Sequence, residues 1–226
     1  MKGKLINFEG IDGSGKGTQS AILHENLKES GVESILFSFP CYDKTFFGKE
    51  IGAFLRGEFG GIDQVHPKLA SILYAMDRAE MRDKIIHSLD DGKIVICDRY
   101  VDSNIAHQVS KLPDGEKLNF IKWIEELEYG INKMPLPDLT FFLDVPIAVS
   151  KKMVLKKNQR SYTESSEDIH EKAHGYLQKV YDAYLSIDYG IRWRKIQCCD
   201  GLIMKSTQDI SKNINSIINK EVFENE

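Results

Sequence analysis

Residues 7–19 read NFEGIDGSGKGTQ, with Gly10, Gly13, Gly15 and Gly17 crowded around Lys16 directly behind a short apolar run. No ordinary helix or strand needs so many glycines, because each raises the entropic cost of ordering the chain. Gly10, Gly15 and Lys16 keep the spacing G-x-x-x-x-G-K, in which glycines let consecutive N–H groups face phosphate oxygens. The helix that follows adds the positive end of its dipole, and the lysine reaches the outer phosphates. A purely structural turn uses one or two glycines. The stretch, with Ser14 and Thr18 completing it, therefore predicts a nucleoside triphosphate site, ATP first among the candidates. Gly17 stands where Ser or Thr usually supplies a hydroxyl to magnesium. Thr18, one place later, and Asp98 are the alternative metal partners.

Three other groupings could act on an anion or a base. KIVICDRY (93–100) ends an apolar run in Asp98 and Arg99, an acid for a metal or its water shell beside a planar fork for phosphate. A strand-end salt bridge is the plainer reading of that pair. In ASILYAMDRAEMR (70–82), Tyr74 and Arg78 are four apart and share a helix face, so a flat ring and a flat cation project together. Spacing by itself favours a core tyrosine beside a surface arginine. In KKMVLKKNQRSY (151–162), Lys152, Lys156 and Arg160 recur every fourth residue, as on many solvated helix faces. The polar NQRSYTESSED behind them has the composition of a flap.

The elements that would position these residues alternate. Apolar runs at KLINFEG, SILFSFP, KIVICDRY, LTFFLDVP and IRWRKIQCC are separated by helical periodicity at 16–30, 67–90, 116–129, 146–157 and 167–186. A last helix is expected from Thr207 to Asn219, where Ile210, Ile214, Ile217 and Ile218 recur on one face. Such alternation means crossover connections and a parallel sheet covered by helices. In that architecture ligands bind beyond the carboxyl ends of strands. Those ends carry Glu9 and Gly10, Phe39 and Pro40, Asp98 and Arg99, and Asp144. The expectation is an α/β protein folded as one domain over 1–226.

Bulk properties narrow the function. The 226 residues carry a net charge of −4 and a pI near 5.9, which argues against a broad duplex nucleic-acid surface. Cys41, Cys97, Cys198 and Cys199 lack paired C-x-x-C spacing and read as free thiols of a reducing compartment. The apolar stretch at the start is too short for a signal peptide and no run approaches ~18 apolar residues, so a cytoplasmic protein is expected. Guanine switches carry N-K-x-D after a strand, and none occurs here. A P-loop switch protein is thus the weaker alternative to an enzyme.

Together FEGIDGSGKGTQ, FP (39–40) with FFGKEIGAFLRGEFG, LYAMDR, DRYVDSNIAHQ, PDLTFFLDVP and DIHEKAHGYLQKVYDAYL resemble the thymidylate kinases, of the nucleoside-monophosphate kinase branch of P-loop proteins. The resemblance covers nearly the whole chain. It implies a three-layer P-loop kinase fold with a central five-stranded parallel sheet and a short mobile lid at about 156–167. It also implies a homodimer that uses ATP and magnesium to phosphorylate thymidine monophosphate (dTMP) on the way to dTTP. A kinase for another pyrimidine monophosphate such as dUMP is the nearest alternative. Carried over position by position, Lys16 and the loop from Gly10 through Gly13, Ser14, Gly15 and Gly17 to Thr18 hold ATP. Asp12 stands beside the acceptor sugar and phosphate, Arg99 grips that phosphate, and Asp98 is near magnesium. Tyr74 stacks on the base, Arg78 bonds its carbonyl, and Phe39, Asn104 and Gln108 line the base pocket. The glycine loop has no arginine, so Arg160 of the lid completes the implied catalytic set of Lys16, Asp12 and Arg99. The chain departs from the family at Cys41, where members often have an arginine that Arg56 or Lys44 would replace. It departs again at Gly17, and at His107, where an aromatic that excludes a ribose hydroxyl is frequent.

Overall fold

The computed structural model describes residues 3–61, 64–158, 175–187 and 189–223. Arg160, most of the lid stretch and the beginning of the 167–186 helix lie outside the described residues. Five strands, β1 (Lys4–Glu9), β2 (Ser34–Ser38), β3 (Ile94–Asp98), β4 (Leu139–Asp144) and β5 (Trp193–Gln197), form one parallel sheet in the order β2-β3-β1-β4-β5. All five apolar runs of the sequence are its strands.

Period-2 alternation divides the core in two. Leu5 of β1, Val95 and Cys97 of β3 and Phe142 of β4 face one way. Ile6 and Phe8, Ile94 and Ile96, and Leu139, Phe141 and Leu143 face the other. Over the first face lie α3 (Pro67–Asp90), α4 (Val101–Val109), α5 (Asp114–Glu125) and α7 (Tyr176–Ser186). The second is covered by α1 (Lys16–Glu29), α6 (Ile147–Asn158) and α8 (Thr207–Ile218), the last through Ile210, Ile214 and Ile218. Each of these large apolar side chains contributes roughly 1.5–3 kcal/mol by leaving water. Among the described residues no helix is long and apolar enough to cross a membrane.

Two helices carry no periodicity that the sequence reading detects. One is α2 (Phe46–Leu55), where Gly48 lowers helix propensity; a Cβ there would come 2.3 Å from the Cys41 carbonyl oxygen, so the close approach demands glycine. The other is α4, whose nine residues are nearly all buried, polar ones included, because it has core on one side and the site on the other. The 116–129 helix instead starts at Asp114 and passes into a π-helical turn over Glu126–Ile131. A short hairpin of β6 (Cys199–Asp200) and β7 (Ile203–Met204) was also not expected.

The strand order places the site. Neighbours β1 and β3 send their following helices to opposite faces, α1 to one and α4 to the other. The chain therefore diverges at their carboxyl ends and leaves a crevice there, as expected where strand order reverses.

Candidate active site

Two adjoining cavities open in that crevice and share Asp12, Phe39, Pro40, Tyr42 and Arg99 as their common wall. The first is bounded by the glycine loop and α1, with Lys16, Gly17 and Thr18 on one side and Lys44, Asp98 and Lys156 around it. Gly15 turns the chain into α1 at φ 94°, a left-handed conformation that suits glycine, and α1 has no side-chain cap over its first turn. Gly13 is held against α6, where an added Cβ would come 2.5 Å from the Ser150 carbonyl oxygen. Gly10 and Ser14 shape the loop from beneath; a Cβ on Gly10 would meet the Ser14 Oγ at 2.8 Å.

Lys16 is buried and donates to the Ile11 carbonyl at 2.9 Å. Burial, and then the charge of Arg99, lower its pKa to about 8, against the raising effect of Asp12, Asp98 and Glu9. The sign follows from linkage: the folded value lies below the ordinary 10.5, so folding disfavours the proton and this group detracts from stability at pH values below about 8. That cost is relieved as pH rises from about 8 toward 10.5. A polyphosphate favours the charged form instead. Binding of ATP at slightly alkaline pH is therefore expected to take up a proton, and its affinity to weaken as pH rises above about 8. Calorimetry in two buffers of different ionisation enthalpy reads the uptake; identical heats in both would contradict a lowered Lys16.

Arg99 and Asp12 form the wall between the cavities. Arg99 Nη2 donates to Asp12 Oδ1, while Nη1 donates to the Gly10 carbonyl at 3.4 Å and to Ser103 Oγ at 3.1 Å. Burial alone would raise the Asp12 pKa, but Arg99 and then Lys16 hold it well below the usual carboxylate range. Asp98 accepts from Ser38 Oγ at 3.3 Å, and its Oδ2 lies 2.9 Å from where a Cβ on Gly17 would be. Glycine at 17 thus leaves the room that the Asp98 carboxylate occupies.

The second cavity is lined by Tyr74, Arg78, Asn104, His107 and Gln108. Arg78 is not the surface arginine that spacing alone would suggest: its side chain is 2% exposed and is held by Glu128, through Nη2 to Oε1 and through Nε to Oε2 at 3.1 Å. Asn104 Nδ2 donates to Glu128 Oε1 and to the Ser71 carbonyl, both at 3.1 Å. Because both partners only accept, the amide orientation is decided, and Oδ1 is left buried with no partner among the described residues. Gln108 is oriented the opposite way. Lys111, a pure donor, donates to its Oε1 at 2.9 Å and leaves Nε2 buried with no partner among the described residues.

Of the two candidates to replace an arginine at position 41, Lys44 lines the loop-side cavity, whereas Arg56 pairs with Glu58 at 2.8 Å with both side chains 55% exposed. The Cys41 thiol donates to the Ser38 carbonyl, and burial, with Asp77 adding to it, pushes it up to about 12. Carboxylates of α3 hold this turn: Asp77 accepts from the Cys41 N–H at 3.0 Å and from Thr45, and Glu80 from the Phe46 and Phe47 N–H groups. Tyr74 and Arg78 of α3 and Asn104 and Gln108 of α4, two pairs on separate helices, are brought together with Phe39, Asp12 and Arg99. Lys156 reaches the loop-side cavity, and Lys152 does not line it. The sequence reading assigns no role to Glu128, Ser103, Asp77 or Ser150; Glu128 and Ser150 lie outside every motif, and Ser103 and Asp77 stand inside the DRY and LYAMDR segments with no local signal for the bonds they make.

Comparison with known proteins identifies the family. Residues 8–190 match the thymidylate kinase family. A thymidylate kinase of Caldanaerobacter subterraneus subsp. tengcongensis is 33% identical over 184 residues, covering 80% of this chain and 84% of its own length. A probable thymidylate kinase of Thermococcus onnurineus is 33% identical over 225 residues, covering 97% of this chain and 98% of its own. The solved structure of the Candida albicans thymidylate kinase superposes with a TM-score of 0.74 at 25% identity, over 97% of this chain and 92% of that one. With the loop, the DRY segment and the LYAMDR helix meeting around two joined cavities, the chain belongs to the thymidylate kinase family.

Proposed function

We propose that this nucleoside-monophosphate kinase seats ATP in the loop-side cavity and dTMP in the other, and passes the γ-phosphoryl group across the wall formed by Asp12 and Arg99. The observation that carries the reading is the pair of oppositely oriented amides. Asn104 Oδ1 is an acceptor and Gln108 Nε2 a donor, each without a partner among the described residues, and both side chains line the cavity together with Arg78. Thymine offers one N–H flanked by two carbonyls, so it satisfies an acceptor between donors. Cytosine has a ring nitrogen acceptor at that place and would face Asn104 Oδ1 with no proton between them. Tyr74 supplies the flat face on which the base stacks.

The attacking oxygen of a phosphate monoester is already anionic at neutral pH, so no strong base is required. What the protein must supply is alignment of two anions that repel each other, and charge to balance the transferred group. Lys16 and the first-turn amides of α1 hold the donor phosphates, and Arg99 holds the acceptor phosphate. Asp12 steadies Arg99 and stands beside the acceptor sugar. Lys44 and Lys156 add positive charge around the same cavity. Asp98 and Thr18 both line this cavity, and their carboxylate and hydroxyl are the hard oxygen donors that would hold magnesium there. When bound, the ion would neutralise charge on the donor phosphates. The proposal includes a cytoplasmic enzyme acting as a homodimer, supported by the free thiols and the family resemblance.

The test is a coupled ADP-release assay with MgATP and a panel of dTMP, dUMP, UMP, dCMP and AMP. Turnover is expected to be fastest with dTMP, with dUMP trailing. dCMP should be lower by roughly 10-fold to 100-fold in kcat/KM, the cost of leaving a buried polar group unpaired. Comparable rates on dCMP would overturn the reading of Asn104 and Gln108, and no turnover on any acceptor would overturn the transfer itself.

A further inference from the structure

We propose that Glu9, which lines neither cavity, is the positioning residue that sets the place of the Arg99 guanidinium and so the affinity for the acceptor phosphate; the inference rests on Arg99 being the phosphate ligand. Arg99 has φ 68°. That is a left-handed backbone which a residue with a side chain keeps only where its surroundings over-determine it. The Arg99 N–H donates to the Phe8 carbonyl at 3.0 Å. Glu9 holds what comes next. Its Oε1 accepts from the Tyr100 N–H at 2.8 Å and from the Ser103 N–H at 3.2 Å. Tyr100, the N-cap residue of α4, provides no cap of its own, and its hydroxyl is turned away to the Pro135 carbonyl. Glu9, reaching over from β1, is the cap of α4, with its carboxyl against the positive end of the helix.

The second oxygen completes the link. Glu9 Oε2 accepts from the Ser103 hydroxyl at 2.6 Å and from the Tyr184 hydroxyl at 2.9 Å. Ser103 has one proton, given to Glu9, so its oxygen receives the Arg99 Nη1 donor at 3.1 Å. The hydrogen bonds thus run in one direction, from Arg99 to Ser103 to Glu9. Asn7 Nδ2 bonds Oε1 at 3.1 Å, and Glu9 is fully buried. A single carboxyl group therefore ties the backbone after the strained residue, the start of α4 and the tip of the arginine.

A glutamine at position 9 keeps the shape but must turn its amide oxygen to the two backbone donors, which places N–H groups against Ser103 and Tyr184. The pair of ligands that isolates the effect is dTMP and thymidine, which differ only in the phosphate. Glu9→Gln is expected to weaken dTMP binding about 10-fold and thymidine binding less than about 2-fold. Ser103→Ala cuts the link but keeps the backbone cap; it should shift the same ratio in the same direction with little change in Tm, which keeps the test decisive if Glu9→Gln folds poorly. In an Arg99→Ala background both substitutions should lose most of their effect on dTMP, as expected for groups acting through one another. Equal losses for dTMP and thymidine, or full additivity with Arg99→Ala, would overturn the role of Glu9. If Arg99→Ala alone left the ratio of dTMP to thymidine affinity unchanged, the assignment of Arg99 itself would fall, and the inference with it.

Discussion

Lys16→Ala is expected to lower kcat at least ~100-fold, because it removes a preorganised, buried cation. The ammonium is buried and already oriented by the Ile11 carbonyl, so little reorganisation is needed when a phosphate replaces that partner. Thermal unfolding provides the control. Burial lowers the pKa of this lysine to about 8, so its charge detracts from folding at neutral pH, and the variant should not lose Tm in proportion to its lost activity. A near-normal kcat would show that the loop amides suffice without the lysine. By the family resemblance, Arg160→Ala should bring a loss of similar size, and wild-type turnover in that variant would remove it from the mechanism.

Glu128→Ala is expected to produce the largest loss of stability, about 3–5 kcal/mol, since it strands a buried guanidinium without its partner. For a chain of this length that corresponds to a fall in Tm of roughly 10 °C. Burial by itself would lower the Arg78 pKa, but the adjacent Glu128 more than reverses this and keeps the guanidinium charged. Exposed pairs behave differently. Asp114, paired with Lys117 and 97% exposed, is screened by solvent, so Asp114→Ala is the matched comparison and should leave Tm nearly unchanged. Glu128→Ala also frees the Asn104 amide to turn, because one of the two acceptors that orient it is gone. Discrimination of dTMP against dCMP should therefore shrink in the variant that still folds. A Tm within about 2 °C of wild type would mean that water or another group reaches Arg78.

Much of the architecture could be read from local pattern. Strands buried on both faces must be apolar almost throughout, as the inner strands β1, β3 and β4 are, and the two partly exposed edge strands β2 and β5 were still marked by their shorter apolar runs. Helices with one face to solvent show their period, as α8 does through Ile210, Ile214 and Ile218. α4 broke the rule because it is enclosed on all sides, and α2 because Gly48 serves close packing rather than helix propensity. The glycine loop was legible for the same reason that it works: a backbone bared to an anion requires glycines at fixed spacing.

What the sequence by itself determined was therefore the class of chemistry, the strands, and the families of residues at the strand ends. It could name Tyr74, Arg78, Asn104 and Gln108 as candidates, but it could not say which way an amide points or which carboxyl group supports which cation. Those choices depend on partners distant in the chain. Glu128 lies 50 residues from Arg78, and Glu9 lies 94 from Ser103. A hydrogen bond is directional and acts over a few ångströms, whereas residue spacing reports only position along a strand or helix. Tertiary packing alone brought those groups within reach, turning a list of polar residues into an acceptor, a donor and an arginine held in one place.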